Sequence, residues 1–158
     1  MRLLVILGEG GHTKEMLTLV DMLGDDLEYG YVIVEDDEVS ESKIRRLGPV
    51  YRVLRPRDKK HNLLLDIGKA LYSGWQSWRA LRAFRPAAVL SSGPSVAVPG
   101  CMAARLIGIK VIFVETASRV TALSLTGRIM YRLAHLFLVQ WPELAARYPK
   151  AVYAGRLF

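Results

Sequence analysis

The chain has 158 residues, 51% of which are hydrophobic, and this length and composition predict one globular domain with a substantial core. No apolar run approaches the roughly 20 residues of a membrane-spanning helix, and the first apolar run is too short for a signal peptide, so we expect a cytoplasmic protein. The formal net charge of +7 conceals an asymmetry, because residues 42–158 carry twenty Lys and Arg against four acids, a balance that attracts phosphate groups of lipids, nucleotides or nucleic acids.

A glycine-rich loop joins the first predicted strand to the first predicted helix. Residues 3–7 form an apolar run typical of a buried parallel strand, and residues 13–23 have the spacing of an amphipathic helix. Glycines within residues 8–11 let N–H groups and the helix dipole approach an anionic ligand, although tight loops also use glycine for geometry alone. The dinucleotide fingerprint requires glycine at Thr13, so we expect no nicotinamide or flavin cofactor. His12 is suited to proton transfer near neutral pH.

Two further strands are predicted over residues 29–34 and 50–54, separated by a short helix or an ordered loop over residues 40–47. An acidic cluster, residues 35–38, follows the first of these two strands. An acid at that place can hold a ribose in a dinucleotide-binding fold. Because the fingerprint upstream is incomplete, we interpret the cluster as a solvated loop.

The longest predicted helix runs from about residue 62 to residue 84. Its apolar side chains recur at three- and four-residue steps: Leu64, Ile67, Leu71, Trp75, Trp78 and Leu81. A helix that covers a sheet buries such a stripe, whereas aromatic residues beside cations are typical of a membrane interface. We predict membrane contact through Tyr72, Trp75, Trp78, Arg79 and Arg82, with burial of the stripe against the sheet as the alternative.

The second half of the chain continues the alternation of strands and helices. Strands are predicted over residues 87–90, 110–114, 136–139 and 151–153, with helices over residues 96–107, 125–133 and 143–148. The alternation predicts an α/β fold with a doubly wound, mostly parallel sheet of Rossmann type. Because the carboxyl ends of parallel strands lie on one side of a sheet, the loops at Gly8, Ser91 and Glu115 should converge.

Glu115 is a chemical candidate because it ends a predicted strand and is the only acid between Asp66 and Glu143. Open α/β sheets bind their ligands at that edge. Two structural alternatives stay open, in which Glu115 pairs with Arg119 or caps the next helix.

Six short motifs follow one another along the chain. They are GEGGHTKEML (residues 8–17), SSGPS (91–95), IFVETASRV (112–120), LSLTGRIMY (123–131), VQWPEL (139–144) and YAGRL (153–157). In this order and spacing, the chain resembles the family that contains the membrane-side subunit of the eukaryotic dolichol-pathway GlcNAc transferase and bacterial PssD-type exopolysaccharide proteins. That family is similar to the N-terminal, acceptor-binding half of MurG-like glycosyltransferases of the GT-B fold.

The resemblance implies one wall of a cleft whose other wall is a separate donor-binding glycosyltransferase subunit, with a shared UDP-sugar. It implies transfer of GlcNAc or another hexose from the UDP-sugar to a lipid-diphosphate-linked sugar acceptor. The alternative is a non-catalytic membrane anchor that recruits and orients a catalytic partner. A nucleic-acid-binding domain has only the charge in its favour, since no nucleic-acid motif is recognised, and we expect no nucleic acid partner.

Carried onto this sequence, the resemblance also implies the site. The expected substrate-binding residues are Gly10, Gly11, Gly93, Pro94, Ser95 and Arg119. An inverting transfer needs a base that deprotonates the attacking hydroxyl, for which His12 is our prediction and Glu115 the alternative. No cluster of metal-ligating side chains is evident in the sequence, so we expect neither a metal nor another cofactor.

The start of the chain bears on its location. Eukaryotic members of the family usually begin with a membrane-spanning segment, whereas this chain begins directly at the first strand. We therefore expect peripheral attachment to the inner face of the cytoplasmic membrane, through apolar insertion and attraction to anionic lipid.

Overall fold

Seven parallel strands form one sheet in the computed structural model, which describes residues 1–56 and 63–157. The strands are β1 (Arg2–Ile6), β2 (Glu28–Val34), β3 (Val50–Val53), β4 (Ala88–Ser91), β5 (Lys110–Val114), β6 (Leu136–Val139) and β7 (Ala151–Tyr153). Their order across the sheet is β3-β2-β1-β4-β5-β6-β7, and each neighbouring pair is parallel. The predicted parallel sheet is confirmed.

Helices cover both faces of this sheet. Over the described residues they are α1 (Gly11–Leu23), α2 (Glu38–Glu41), α3 (Leu63–Phe84), α4 (Ala97–Leu106), α5 (Leu125–Leu133) and α6 (Pro142–Arg147). Leu3 and Val5 of β1 pack with α1, whereas Leu4 and Ile6 pack with α3 and α4 on the opposite face. This two-sided burial explains why β1 is a continuous apolar run, and it makes the sheet doubly wound.

The bounds of most elements lie within two residues of the predicted ones, and α2 is the exception. It ends at Glu41 instead of residue 47, and it begins at Glu38 because Oδ1 of Asp37 accepts a hydrogen bond of 3.0 Å from the amide of Ser40 and caps the helix. Asp37 is buried, so the interpretation of residues 35–38 as a solvated loop is wrong for this acid. Residue 62, where the long helix was expected to begin, lies outside the described residues.

The face that α3 turns toward the sheet differs from the predicted apolar stripe. Of the stripe, Leu81 is buried, whereas Trp75 and Trp78 remain 46% and 37% exposed. The buried side of α3 consists mostly of smaller residues: Ser73, Ser77, Ala80, Leu81 and Phe84. Burial of the stripe against the sheet is therefore wrong for residues 64–78, and these apolar side chains lie on the outer surface.

Candidate functional site

Three loops meet at the carboxyl edge of the sheet. The loop after β1 leads into α1, where Nδ1 of His12 lies 3.0 Å from Oγ of Ser92 in the loop after β4. On the same helix, Oε1 of Glu15 accepts a hydrogen bond of 2.8 Å from the amide of Ala117 in the loop after β5. The predicted convergence of the three loops is confirmed.

The turn between β1 and α1 depends on glycine and on two hydroxyl groups. Gly10 has a φ of 62°, in the left-handed region that other residues rarely adopt. The carbonyl oxygen of Gly8 accepts hydrogen bonds from the hydroxyls of Thr13 and Ser40, the second at 3.1 Å. Thr13, which replaces the glycine of a dinucleotide-binding loop, thus ties the loop to its own helix.

His12 lines a cavity of about 220 Å³ at this edge. Burial lowers the pKa of His12 below its usual value of 6.5, and Glu15 opposes this effect to a smaller extent. The imidazole is therefore neutral at pH 7 and able to accept a proton. The cavity is also lined by Glu9 and Arg55, whose side chains form an ion pair.

The predicted substrate-binding residues divide between two cavities and a loop. Pro94 and Ser95 line the same cavity as His12, and Gly93 packs so closely that a Cβ there would lie 2.7 Å from Cε1 of the imidazole. Arg119 is exposed in the loop after β5. A second cavity, of about 430 Å³, is lined by Gly10 and Gly11 and by the cations Lys14, Lys43 and Arg45.

Glu15 is the residue of this site that the sequence analysis missed. Its carboxylate is buried and accepts hydrogen bonds from the Thr116 hydroxyl at 3.0 Å and the Ala117 amide at 2.8 Å. Ser92 and the side-chain amide of Gln140 lie at hydrogen-bonding distances of 3.4 Å. One carboxylate therefore joins α1 to the loops that follow β4, β5 and β6.

A local signal for Glu15 exists in the glycine-loop motif. Glu15 follows His12 by three residues, which places both side chains on one side of α1. Nδ1 of His12 and Oε2 of Glu15 are 3.9 Å apart. A histidine and an acid at this spacing, just after a glycine loop at the end of a strand, could have indicated the pair.

Glu115 directly follows β5, and its fully buried side chain reaches the start of α5. The Ser124 amide donates to its Oε2 at 3.1 Å, and the Ser124 hydroxyl donates to Oε1 at 2.9 Å. Oγ of Ser124 in turn caps α5 by accepting from the amide of Gly127 at 2.8 Å. Burial raises the pKa of the Glu115 carboxyl, and the hydrogen bonds from Ser124 and Thr116 oppose this effect. Ser124, and not Glu115, therefore caps α5, and Glu115 supports this cap by accepting hydrogen bonds from the Ser124 amide and hydroxyl.

The five residues predicted to contact a membrane lie together on one surface of α3. Tyr72 stacks on Trp75 with ring centroids 5.6 Å apart, Arg79 lies 5.0 Å from the Trp75 ring, and Arg82 lies 5.4 Å from the Trp78 ring. An apolar groove of about 500 Å³ continues this surface onto α4. Its lining, which defines the α3–α4 groove, includes Ile67, Leu71, Trp75, Trp78, Met102 and Leu106. Over residues 1–56 and 63–157, no helix has the length and apolar character needed to cross a bilayer.

Residues 3–157 match the family described as Oligosaccharide biosynthesis protein Alg14 like. The chain belongs to this Alg14-like family. It is 38% identical to the UDP-N-acetylglucosamine transferase subunit ALG14 of Rattus norvegicus, over 98% of this chain and 82% of the rat protein. It is 36% identical to the subunit of the same name from Schizosaccharomyces pombe, over 97% of this chain and 81% of that protein.

Solved structures place the Alg14-like chain in a wider fold group. It superposes on MurG of Acinetobacter baumannii with a TM-score of 0.75 at 21% identity, covering 90% of this chain and 42% of MurG. It also superposes on the UDP-GlcNAc 2-epimerase of Neisseria meningitidis bound to UDP-GlcNAc, with a TM-score of 0.72 at 16% identity, covering 99% of this chain and 47% of the epimerase. The chain thus spans less than half of each. These similarities confirm the predicted fold, which is the Rossmann-like half of a GT-B architecture.

Proposed function

We propose that this chain is the acceptor-binding subunit of a two-chain glycosyltransferase. The reaction moves GlcNAc or another hexose from a UDP-sugar to a sugar carried on a lipid diphosphate. Two relatives named as UDP-N-acetylglucosamine transferase subunits support the transferase class. Both relatives are named as subunits, which supports a subunit role for this chain.

The neutral imidazole of His12, in a cavity at the carboxyl edge of the sheet, is the observation that carries the proposal. In the proposed step, the acceptor hydroxyl attacks the anomeric carbon of the donor sugar and passes its proton to His12. The bond between that carbon and the UDP oxygen breaks, and UDP leaves with the electron pair. A histidine that is already neutral at pH 7 is ready for this role.

The cavity at the start of α1 is suited to the diphosphate of the acceptor. The amino end of a helix offers N–H groups and a positive dipole to an anion, and Lys14 and Lys43 add positive charge to the lining, whereas Arg45 pairs with Asp21 of the same lining. The acceptor sugar then lies toward His12, with Pro94 and Ser95 as the opposite wall. Arg119, exposed in the loop after β5, is in this proposal a further substrate contact.

The donor half of the active site belongs, in this proposal, to a separate donor-binding glycosyltransferase subunit that shares the UDP-sugar with this chain. The α3 surface holds the pair on the inner face of the cytoplasmic membrane. Exposed Tyr72, Trp75 and Trp78 enter the lipid interface, and Arg79 and Arg82 contact anionic headgroups. The lipid-linked acceptor is thereby presented to the cleft.

Replacement of His12 in the reconstituted transferase tests this function. The chain is co-purified with the donor-binding subunit encoded beside it, and transfer from radiolabelled UDP-GlcNAc to a membrane extract is measured. We expect His12→Ala to lower kcat by about 10²- to 10⁴-fold, the usual contribution of a general base.

His135→Ala is the matched control, because His135 precedes β6 and so lies at the opposite edge of the sheet. It should retain the transfer rate, and both variants should co-purify with the donor-binding subunit. Full activity of His12→Ala in an intact pair would contradict the proposal and favour a non-catalytic anchor.

A further inference from the structure

The side chains of His12, Ser92 and Glu15 form a cluster of polar contacts, of which His12 lines the cavity. Nδ1 of His12 is 3.0 Å from Oγ of Ser92, and this oxygen is 3.4 Å from Oε2 of Glu15. The direct separation between Nδ1 and Oε2 is 3.9 Å, so the three atoms form a triangle in which the serine hydroxyl contacts both the ring and the acid. Catalytic hydrogen bonds of this kind are often long in a free enzyme and shorten when substrate binds.

The hydrogen bonds in this cluster have one consistent direction. A carboxylate only accepts hydrogen bonds, so the single hydroxyl proton of Ser92 points to Glu15. Oγ of Ser92 is then left with lone pairs toward His12, and it can accept a hydrogen bond from the N–H at Nδ1. In a neutral imidazole with the proton on Nδ1, Nε2 carries a free lone pair.

We propose that Glu15, acting through Ser92, holds His12 in the tautomer with the proton on Nδ1, so that Nε2 is the atom that accepts the proton of the sugar hydroxyl. Glu15 and Ser92 are thus positioning residues, and His12 alone touches the substrate. The catalytic part of this inference rests on the proposed function, whereas the tautomer is a property of the chain by itself. The acid of a serine-protease triad acts in the same way on its histidine.

Glu15 is well fixed for this task. Its Oε1 accepts from the amide of Ala117 and the hydroxyl of Thr116, and Gln140 approaches the same oxygen. Gln140 is itself held, since its side-chain amide donates to the carbonyl of Glu115 at 3.1 Å. Oε2 is thereby turned toward Ser92.

Burial and the nearby charge of Glu15 change the pKa of His12 in opposite directions. Burial lowers the pKa of His12, Glu15 raises it by less, and the paired Glu9 and Arg55 line the same cavity. Removal of the Glu15 charge should therefore lower the pKa of His12 further. A change of tautomer and a fall in pKa should appear together in a variant that loses this carboxylate.

Nitrogen NMR of the isolated, isotope-labelled chain tests the inference without any partner or substrate. In the wild type, we expect the imidazole shifts of His12 to report a protonated Nδ1 and an unprotonated Nε2. Ser92→Ala and Glu15→Gln should both shift the population toward a protonated Nε2, and Glu15→Gln should lower the pKa of His12. Ser92→Thr, which keeps the hydroxyl, should retain the wild-type tautomer.

Thr116→Val is the control for a general loss of packing, because it removes one partner of Glu15 and leaves Ser92 in place. Its spectrum should match the wild type. An unchanged tautomer of His12 in both Ser92→Ala and Glu15→Gln would overturn the inference. If Glu15→Gln does not fold, the tautomer in Ser92→Ala alone decides.

Kinetics of the reconstituted transferase separate this inference from the proposed function. We expect Glu15→Gln to lower kcat by about 10- to 100-fold, a part of what a general base contributes, with KM unchanged. The acid limb of its kcat profile should move to lower pH, following the pKa of His12. If the tautomer is as expected but His12→Ala remains active, the proposed function fails and the tautomer assignment stands.

Discussion

His12 and Glu15 differ in how far their positions could be predicted from the sequence. A histidine next to a glycine loop at the end of an apolar strand indicates a site by itself. From the sequence pattern alone, an acid three residues later in the helix cannot be distinguished from a solvated acid on the helix surface. Its burial arises because the loops after β4, β5 and β6 fold over α1 and bring donors to it, and those contacts are distant in sequence.

Gly93 gives a prediction at the scale of one residue. A methyl group there would approach Cε1 of His12 to 2.7 Å, closer than real Cβ contacts allow, so the imidazole must move. We expect Gly93→Ala to reduce the kcat of the reconstituted transferase by about 10-fold or more, since small displacements of catalytic groups are costly. The melting temperature should change little.

Gly68→Ala is the matched control for Gly93→Ala. Gly68 lies in α3, where a Cβ would meet only open space, so alanine should preserve kcat and favour the helix. Equal kcat values for Gly93→Ala and the wild type would contradict the close packing of the β4 loop on His12.

At the scale of elements, the amphipathic patterns predict the type and place of most helices and strands. Helix α5 and strands β5, β6 and β7 have the predicted bounds. The outward orientation of the apolar face of α3 was harder to predict from the sequence pattern, because an apolar stripe on a helix suggests burial. Ser73 and Ser77 occupy the side that faces the protein, and only the three-dimensional packing identifies that side.

The start of α5 gives a prediction at this scale. Ser124 caps the helix through the amide of Gly127 and also donates two hydrogen bonds to buried Glu115. We expect Ser124→Ala to lower the free energy of unfolding by about 1 to 2 kcal/mol, the range of a lost helix cap, as measured by urea denaturation. The loss of the hydroxyl partner of Glu115 acts in the same direction.

Thr126→Ala removes a hydroxyl from the first turns of the same helix and serves as the control. Alanine has the higher helix propensity, so its free energy of unfolding should equal or slightly exceed that of the wild type. A Ser124→Ala protein as stable as Thr126→Ala would show that the contact between Glu115 and α5 contributes little.

At the scale of the whole molecule, the excess of positive charge in residues 42–158 and the α3–α4 groove bear on where the chain works. Apolar insertion together with attraction to anionic lipid provides the two contributions that reversible membrane binding needs. The proposed membrane-binding surface could not be predicted from the charge of the sequence alone, because cations are spread along the chain. The structure groups Arg79 and Arg82 with the exposed aromatic rings.

Sedimentation with anionic vesicles tests this surface. We expect the wild type to bind vesicles that contain phosphatidylserine, with binding reduced by added salt. The combined variant Trp75→Ser, Trp78→Ser, Arg79→Glu and Arg82→Glu should remain in the supernatant.

The control variant Arg147→Glu and Lys150→Glu makes the same change in charge at exposed positions around α6 and β7. It should weaken vesicle binding less than the combined variant. Equal binding of the wild type and the combined variant would contradict a membrane role for α3.

The central claim is that this chain forms one wall of an active site and depends on another chain for the donor. The most direct measurement is transfer from radiolabelled UDP-GlcNAc to lipid-linked acceptor by this chain alone, by the donor-binding subunit alone, and by the two mixed. We predict transfer only in the mixture. Turnover by this chain alone, at the rate of the mixture, would contradict the account.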